Sequence, residues 1–145
     1  NKGDDVNENY RSRLVVREIK ARKKLADRLD AAQVFSAMPP LEMLRALCSV
    51  MAALGIEHDY IIDVYDITRA HFYGKAERDM YTELPEGDQA ECMCAHLLCS
   101  MYGTEDASNI WQKDWTGHLA EKGYKCGLAQ PACFYHAQKD VRGLA

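Results

Sequence analysis

The nine residues "DYIIDVYDI", Asp59 to Ile67, decide the fold. They are rich in isoleucine, valine and tyrosine and apolar on both sides, the pattern of a strand buried in a sheet interior. Such a strand needs layers over it, and the flanking sequence offers them. Upstream, "MPPLEMLRALCSVMAALG" predicts a helix, because Pro39 and Pro40 suit a first turn and Gly55 suits the position just past the end. Leu41, Leu44, Leu47, Cys48, Met51 and Leu54 share one face at three- and four-residue spacing. That face is expected in the core, with Cys48 as a small buried hydrophobe. Downstream, "MYTELP" and "CMCAHLL" read as two short strands, the first stopped by Pro85. A second helix is predicted from about Asp106 to Lys122, with Thr104 or Asp106 as N-cap and Gly123 as the stop. Its residues Ala107, Trp111, Trp115 and Leu119 recur every fourth position as a packing stripe. With a strand in "RSRLVVREI" and another around Phe134, the order implies an α+β fold, a sheet with two main helices packed on one side.

The 145 residues, 48% of them hydrophobic, are enough for one domain with its own core. Residues 1–10 are polar and turn-rich, a flexible lead-in. The longest apolar stretch, Ala46 to Ile56, is well short of the roughly 20 residues a membrane span requires. No hydrophobic signal segment opens the sequence, so the six cysteines are expected as reduced thiols in a soluble, intracellular protein. A net charge of −4 argues against a generally basic nucleic-acid binder. The charge is nevertheless uneven: from Arg11 to Lys24 there are seven basic residues and one acid, Glu18, giving +6 there and −10 elsewhere. Such a run is either a solvated face or a local patch that can meet phosphates.

"ECMCAHLLCSMYG", Glu91 to Gly103, gathers three cysteines and a histidine into the eight residues from Cys92 to Cys99. On a strand, Cys92, Cys94 and His96 share a face, but Cys92 and His96 then stand ~13 Å apart at ~3.3 Å per residue, too far for one zinc ion. On a helix, Cys92, His96 and Cys99 share a face, yet a fourth ligand from Cys126 or Cys133 would be needed and no second ligand pair marks one. No zinc is expected, and the stretch reads as a thiol-bearing strand.

Asp66 closes the apolar strand ahead of "ITRAHFYG". It is either a turn-capping aspartate or a carboxylate presented at a sheet edge, where nucleotidyl-transfer enzymes hold metal ions. From about Tyr10 to Leu144 the chain resembles the reverse transcriptase domain of copia-type retrotransposon polyproteins. Four stretches carry the likeness in order: "YRSRLVVREI", "MPPLEMLRALCSVMAALG", "IIDVYDITRAHFYGKAERDMYTELPEGD" and "LLCSMYGTEDASNIWQKDWTGHLAEKGYKCGLAQPACFYH". An Asp followed by Ala, an aromatic and Gly, then Tyr and a Leu-Pro turn, is similar to the family's first catalytic segment. Met101, Tyr102 and Gly103 match its Tyr-Gly turn, and Trp111, Gly123, Tyr124, Pro131, Cys133 and Phe134 follow at comparable distances. The resemblance implies a fingers-and-palm polymerase fragment over residues 11–145. It makes Asp66 a catalytic, metal-binding aspartate and turns the Ile67 carbonyl toward a cation. It gives His71 the place of the aromatic under the incoming sugar, and Arg11, Arg13 and Arg17 the place of cations that grip the nucleotide triphosphate. The implied cofactor is Mg²⁺ or Mn²⁺, and the implied partners are an RNA/DNA template-primer and nucleotides.

Polymerase chemistry draws carboxylates from two segments, and the family's strand-turn-strand with adjacent aspartates is not matched here. The only adjacent pair, Asp4 and Asp5, lies in the lead-in, and Asp63 falls on the opposite strand face from Asp66. Two functions are therefore open. The chain is a fragment of an RNA-dependent DNA polymerase, inactive alone, or a retroelement-derived, non-enzymatic subunit whose partners are other protein chains of an assembly.

Overall fold

The computed structural model describes residues 13–18 and 28–145, apart from the side chain of Ile56. The lead-in, Asp4, Asp5 and Arg11 lie outside the described residues. The elements are α1 (Ala31–Val34), α2 (Leu41–His58), β1 (Tyr81–Thr82), β2 (Ala95–His96), α3 (Ala107–Glu121), β3 (Lys125–Cys126), β4 (Cys133–His136) and β5 (Val141–Leu144). Short 3₁₀ turns stand at Ala70–Tyr73 and Glu86–Asp88. The class is α+β. Its strands form two small antiparallel sheets, β1-β2 and β3-β4-β5. Of the two long helices, α3 packs against a sheet, on β3.

The core gathers around α3. Met101, Ala107, Ile110, Leu119 and Ala132 are buried, as are the polar Ser100, Thr104, Asp106, Asn109 and His136. Ala107 and Leu119 anchor the two ends of the expected stripe. Between them Trp111 and Trp115 stack with centroids 6.0 Å apart, and Trp115 meets Phe134 of β4 edge-on. The helix stops where expected, at Gly123, whose φ of +88° few other residues tolerate. Tyr124 N–H returns to the Leu119 carbonyl at 3.0 Å, satisfying an otherwise open C-terminal acceptor. Asn109 on the same helix donates to the carbonyls of Ala32 and Phe35, closing the end of α1. That one-turn helix opens with a capping box between Asp30 and Gln33.

β1 and β2 belong to a longer irregular hairpin. Lys75 pairs with Cys99 and Tyr81 with His96, so six steps along the first strand advance only three along the second. The surplus residues bulge out of the ladder and carry Arg78 with them. Pairing resumes on the far side, where Ser100 N–H reaches the Gly74 carbonyl at 2.8 Å.

Four expectations are corrected. Residues 60–67 form neither helix nor strand and join no ladder among the described residues, and Ile61 is 78%, Val64 90% and Tyr65 83% exposed. The pattern was that of a strand with neighbours on both sides, and the described chain brings none to it. The same holds for α2, which runs from Leu41 to His58, past Gly55, and ends at Asp59 in the left-handed region. Its apolar face is largely exposed: Leu41 is 55%, Leu44 48% and Leu54 41% exposed, while Leu47 and Met51 are half-buried. Cys48 is exposed, not buried. The "RSRLVVREI" segment likewise forms no ladder over residues 13–18; Val16 N–H donates to the Tyr102 carbonyl at 2.8 Å.

Candidate functional site

Asp66 stands exposed near the end of the irregular segment 60–67, with half-buried Ile67 beside it. The chain then turns through Thr68 and Arg69, whose φ of 58° is left-handed, and enters the 3₁₀ turn that carries His71. Far off in sequence, Tyr60 donates a hydrogen bond to the Asp140 carboxylate and so ties the start of this segment to the β4-β5 hairpin.

His71 and Arg13 converge on one ring. The His71 imidazole lies with its centroid 4.8 Å from that of Tyr102, tilted by 40°. The Arg13 guanidinium carbon stands 4.7 Å from the same centroid, a cation–π contact. Phe72 adds an edge-on contact at 5.6 Å. Burial holds the His71 pKa below the ordinary imidazole value, so the ring is neutral at neutral pH. Its Nδ1 is buried without a hydrogen-bond partner among the described residues. Arg17 is exposed on the same segment as Arg13.

The backbone explains why Arg13 reaches Tyr102. Gly103 has φ +95°, and a Cβ there would sit 1.9 Å from the Val16 carbonyl oxygen and 2.7 Å from Val15 Cγ1. Only glycine lets residues 15–16 lie directly on the turn. With the Val16–Tyr102 hydrogen bond, this seats the basic segment over the ring.

A second constellation holds the same segment. Arg78 donates to both Glu18 carboxylate oxygens at 2.8 Å and to Asp106 at 2.6 and 3.1 Å. The Glu18 and Asp106 side chains are only 8% and 9% exposed. Glu18 also accepts the Glu105 N–H at 2.8 Å, just ahead of α3. Burial pushes the Asp106 carboxyl up, but the hydrogen bonds and charge of Arg78 outweigh it and hold the pKa below the usual carboxylate value. Hydrogen bonds to Glu18 and then Asp106 raise that of Arg78 in turn. Asp106 occupies the N-cap position of α3, yet its side chain makes no capping bond; it is committed to Arg78. Sequence reading missed Arg78 and Tyr102 as site residues. The one signal for the first was Glu18, a single acid inside a basic run.

The cysteine-rich stretch is a turn leading to a two-residue strand. Cys92 has a φ of 60°, and only Ala95–His96 lie in β2. All six cysteines are free, five exposed and Cys133 half-buried. Among the described residues no cluster of three or more His, Cys, Asp or Glu is placed to hold a metal ion. Asp66 is one carboxylate, so the donors described here do not by themselves fit a divalent-metal centre. No helix among the described residues is long and apolar enough to cross a membrane.

Comparison with known proteins agrees with the motif reading. The family described as reverse transcriptase (RNA-dependent DNA polymerase) matches residues 1–142. The retrovirus-related Pol polyprotein from transposon TNT 1-94 of Nicotiana tabacum is 25% identical over 130 residues, covering 87% of this chain and 9% of that protein. The chain thus spans about a tenth of the length of this relative. No solved structure matches it.

Proposed function

The chain belongs to the reverse transcriptase (RNA-dependent DNA polymerase) family, and from that premise we propose that residues 11–145 are the fingers-and-palm share of a copia-type retrotransposon polymerase. The convergence of Arg13 and His71 on Tyr102 carries the reading. An exposed guanidinium can take a triphosphate through short charge-assisted hydrogen bonds. Beside it, a neutral, half-buried imidazole packed at a tilt against a phenol forms an aromatic wall on which a nucleotide sugar can rest. Arg17 adds positive charge on the same segment.

Polymerases of this family generally use divalent metal ions, and such centres need carboxylates from two segments. We assign Asp66, with the neighbouring Ile67 carbonyl, to the first segment, and the remaining carboxylates to polypeptide outside this sequence. On this reading the chain is inactive alone, would use Mg²⁺ or Mn²⁺ once completed, and would work on a template-primer. The exposed apolar face of α2 and residues 61–65 would be covered by that further polypeptide. The same surface supports the second reading, a retained non-enzymatic subunit held by other chains of an assembly.

The test is binding of dTTP to the 145-residue chain, followed by tryptophan fluorescence. Arg13→Ala should weaken binding about tenfold or more, the size of one charge-assisted contact. Equal affinity of wild type and variant, or no binding by wild type, would overturn the nucleotide-site reading.

A further inference from the structure

We propose that Arg78 is a positioning residue of the nucleotide-facing site: by gripping Glu18 and Asp106 together, it locks segment 13–18 onto the Tyr102–Gly103 turn and so holds Arg13 over Tyr102. The inference rests on the nucleotide-site reading for its function, but the lock itself stands on geometry alone.

Three elements meet at this guanidinium. Glu18 ends the described part of the basic segment, Arg78 projects from the bulge of the irregular hairpin, and Asp106 opens α3. The fork donates on both edges, with contacts at 2.6 to 3.1 Å, a geometry that lysine cannot reproduce. Both acidic side chains are almost fully buried while the Arg78 side chain keeps about a quarter of its surface exposed, 26%. The contact therefore defines where the segment sits. Five residues ahead of Glu18, Arg13 lies over Tyr102, and between them Val16 is bonded to Tyr102. The segment is thus pinned at two places, at the turn by a backbone bond and at Glu18 by the fork. Without the fork, the contacts left to the stretch among the described residues include the Val16–Tyr102 hydrogen bond, the Arg13–Tyr102 cation–π contact and the Glu105 N–H bond to Glu18, all of a kind for which water competes. The bulge fits this purpose, because a regular ladder would hold residue 78 within the hairpin.

The experiment measures two quantities on the 145-residue chain and its variants Arg78→Met, Arg78→Lys and Glu18→Gln. The first is hydrogen exchange of the Val16 amide, read against the Tyr124 amide at the far end of α3 as the reporter of general unfolding. The second is dTTP affinity. The lock predicts Val16 exchange at least tenfold faster in Arg78→Met and Glu18→Gln with Tyr124 unchanged, dTTP binding weakened severalfold in step, and intermediate values for Arg78→Lys. If Arg78→Met fails to fold, Glu18→Gln still decides, since it leaves the Arg78–Asp106 pair intact. Unchanged Val16 exchange in Glu18→Gln, or Val16 and Tyr124 accelerating equally, overturns the lock. Accelerated Val16 exchange with unaltered dTTP affinity overturns the positioning role. If wild type binds no dTTP, the nucleotide-site reading and the positioning role fall together, while the exchange data still decide whether the lock exists.

Discussion

Gly103 stands against the backbone of Val16 so closely that a Cβ would lie 1.9 Å from its carbonyl oxygen, in a conformation with φ +95°. The contact joins the basic segment to the turn that carries Tyr102. Gly103→Ala must either strain its own backbone or expel residues 15–16. It should destabilise the chain by about 2–3 kcal/mol, the scale of a forced left-handed residue plus lost packing. Thermal unfolding checks this, and a loss below about 0.5 kcal/mol would mean the segment does not rest there.

Acid should weaken the fold in two stages. His71 has a folded pKa below its ordinary 6.5, so the unfolded chain binds its proton first. The stability it allows is complete above 6.5 and falls as pH drops through that value. Asp106, depressed below 3.8 by Arg78 despite its burial, adds stability that is present above 3.8 and lost as pH falls through its folded pKa. Denaturant unfolding between pH 8 and 3 should show both stages, and His71→Phe should erase the upper one alone. An unaltered profile in that variant would refute the assignment.

Ion pairs should differ sharply in worth. Lys113 and Glu77 meet at 3.1 Å with 55% and 54% exposure, so Lys113→Met should change stability by less than about 0.5 kcal/mol. Asp106→Asn, which leaves Arg78 beside a neutral partner in a mostly buried site, should cost about 2 kcal/mol. Equal effects in chemical denaturation would show that burial does not govern these pairs.

The uncovered apolar segment should make the chain self-associate. Ile61, Val64 and Tyr65 are between 78% and 90% exposed, and their backbone joins no ladder among the described residues, which leaves it open to pairing with another chain. Sedimentation should show mass rising with concentration, and Val64→Lys should restore monomer without lowering stability by more than about 0.5 kcal/mol. A dispersed wild-type monomer at high concentration would contradict this.

How much of this was legible in the sequence follows from where each residue finds its partners. α3 was readable because its determinants are local: the fourfold stripe, the Gly123 stop and aromatic neighbours all lie within the described chain. α2 was readable as a helix but not in its surroundings. Periodicity records the environment that Leu41, Leu44 and Leu54 suit, and says nothing of whether these residues supply it. Residues 59–67 failed for the same reason, since a strand needs neighbours and pattern alone cannot provide them. Within the site, Arg13 and His71 were named by resemblance, but their meeting on Tyr102 was not foreseen. The Arg78 fork joins residues 60 and 28 positions away, and no spacing rule reaches that far.

The most direct test of the account is RNA-templated primer extension in Mg²⁺, by the 145-residue chain alone and by the same chain continued into its in-frame downstream sequence. The account predicts no extension by the chain alone, and extension by the longer protein that Asp66→Asn abolishes. Extension by the chain alone, or by a longer protein indifferent to Asp66→Asn, would contradict it.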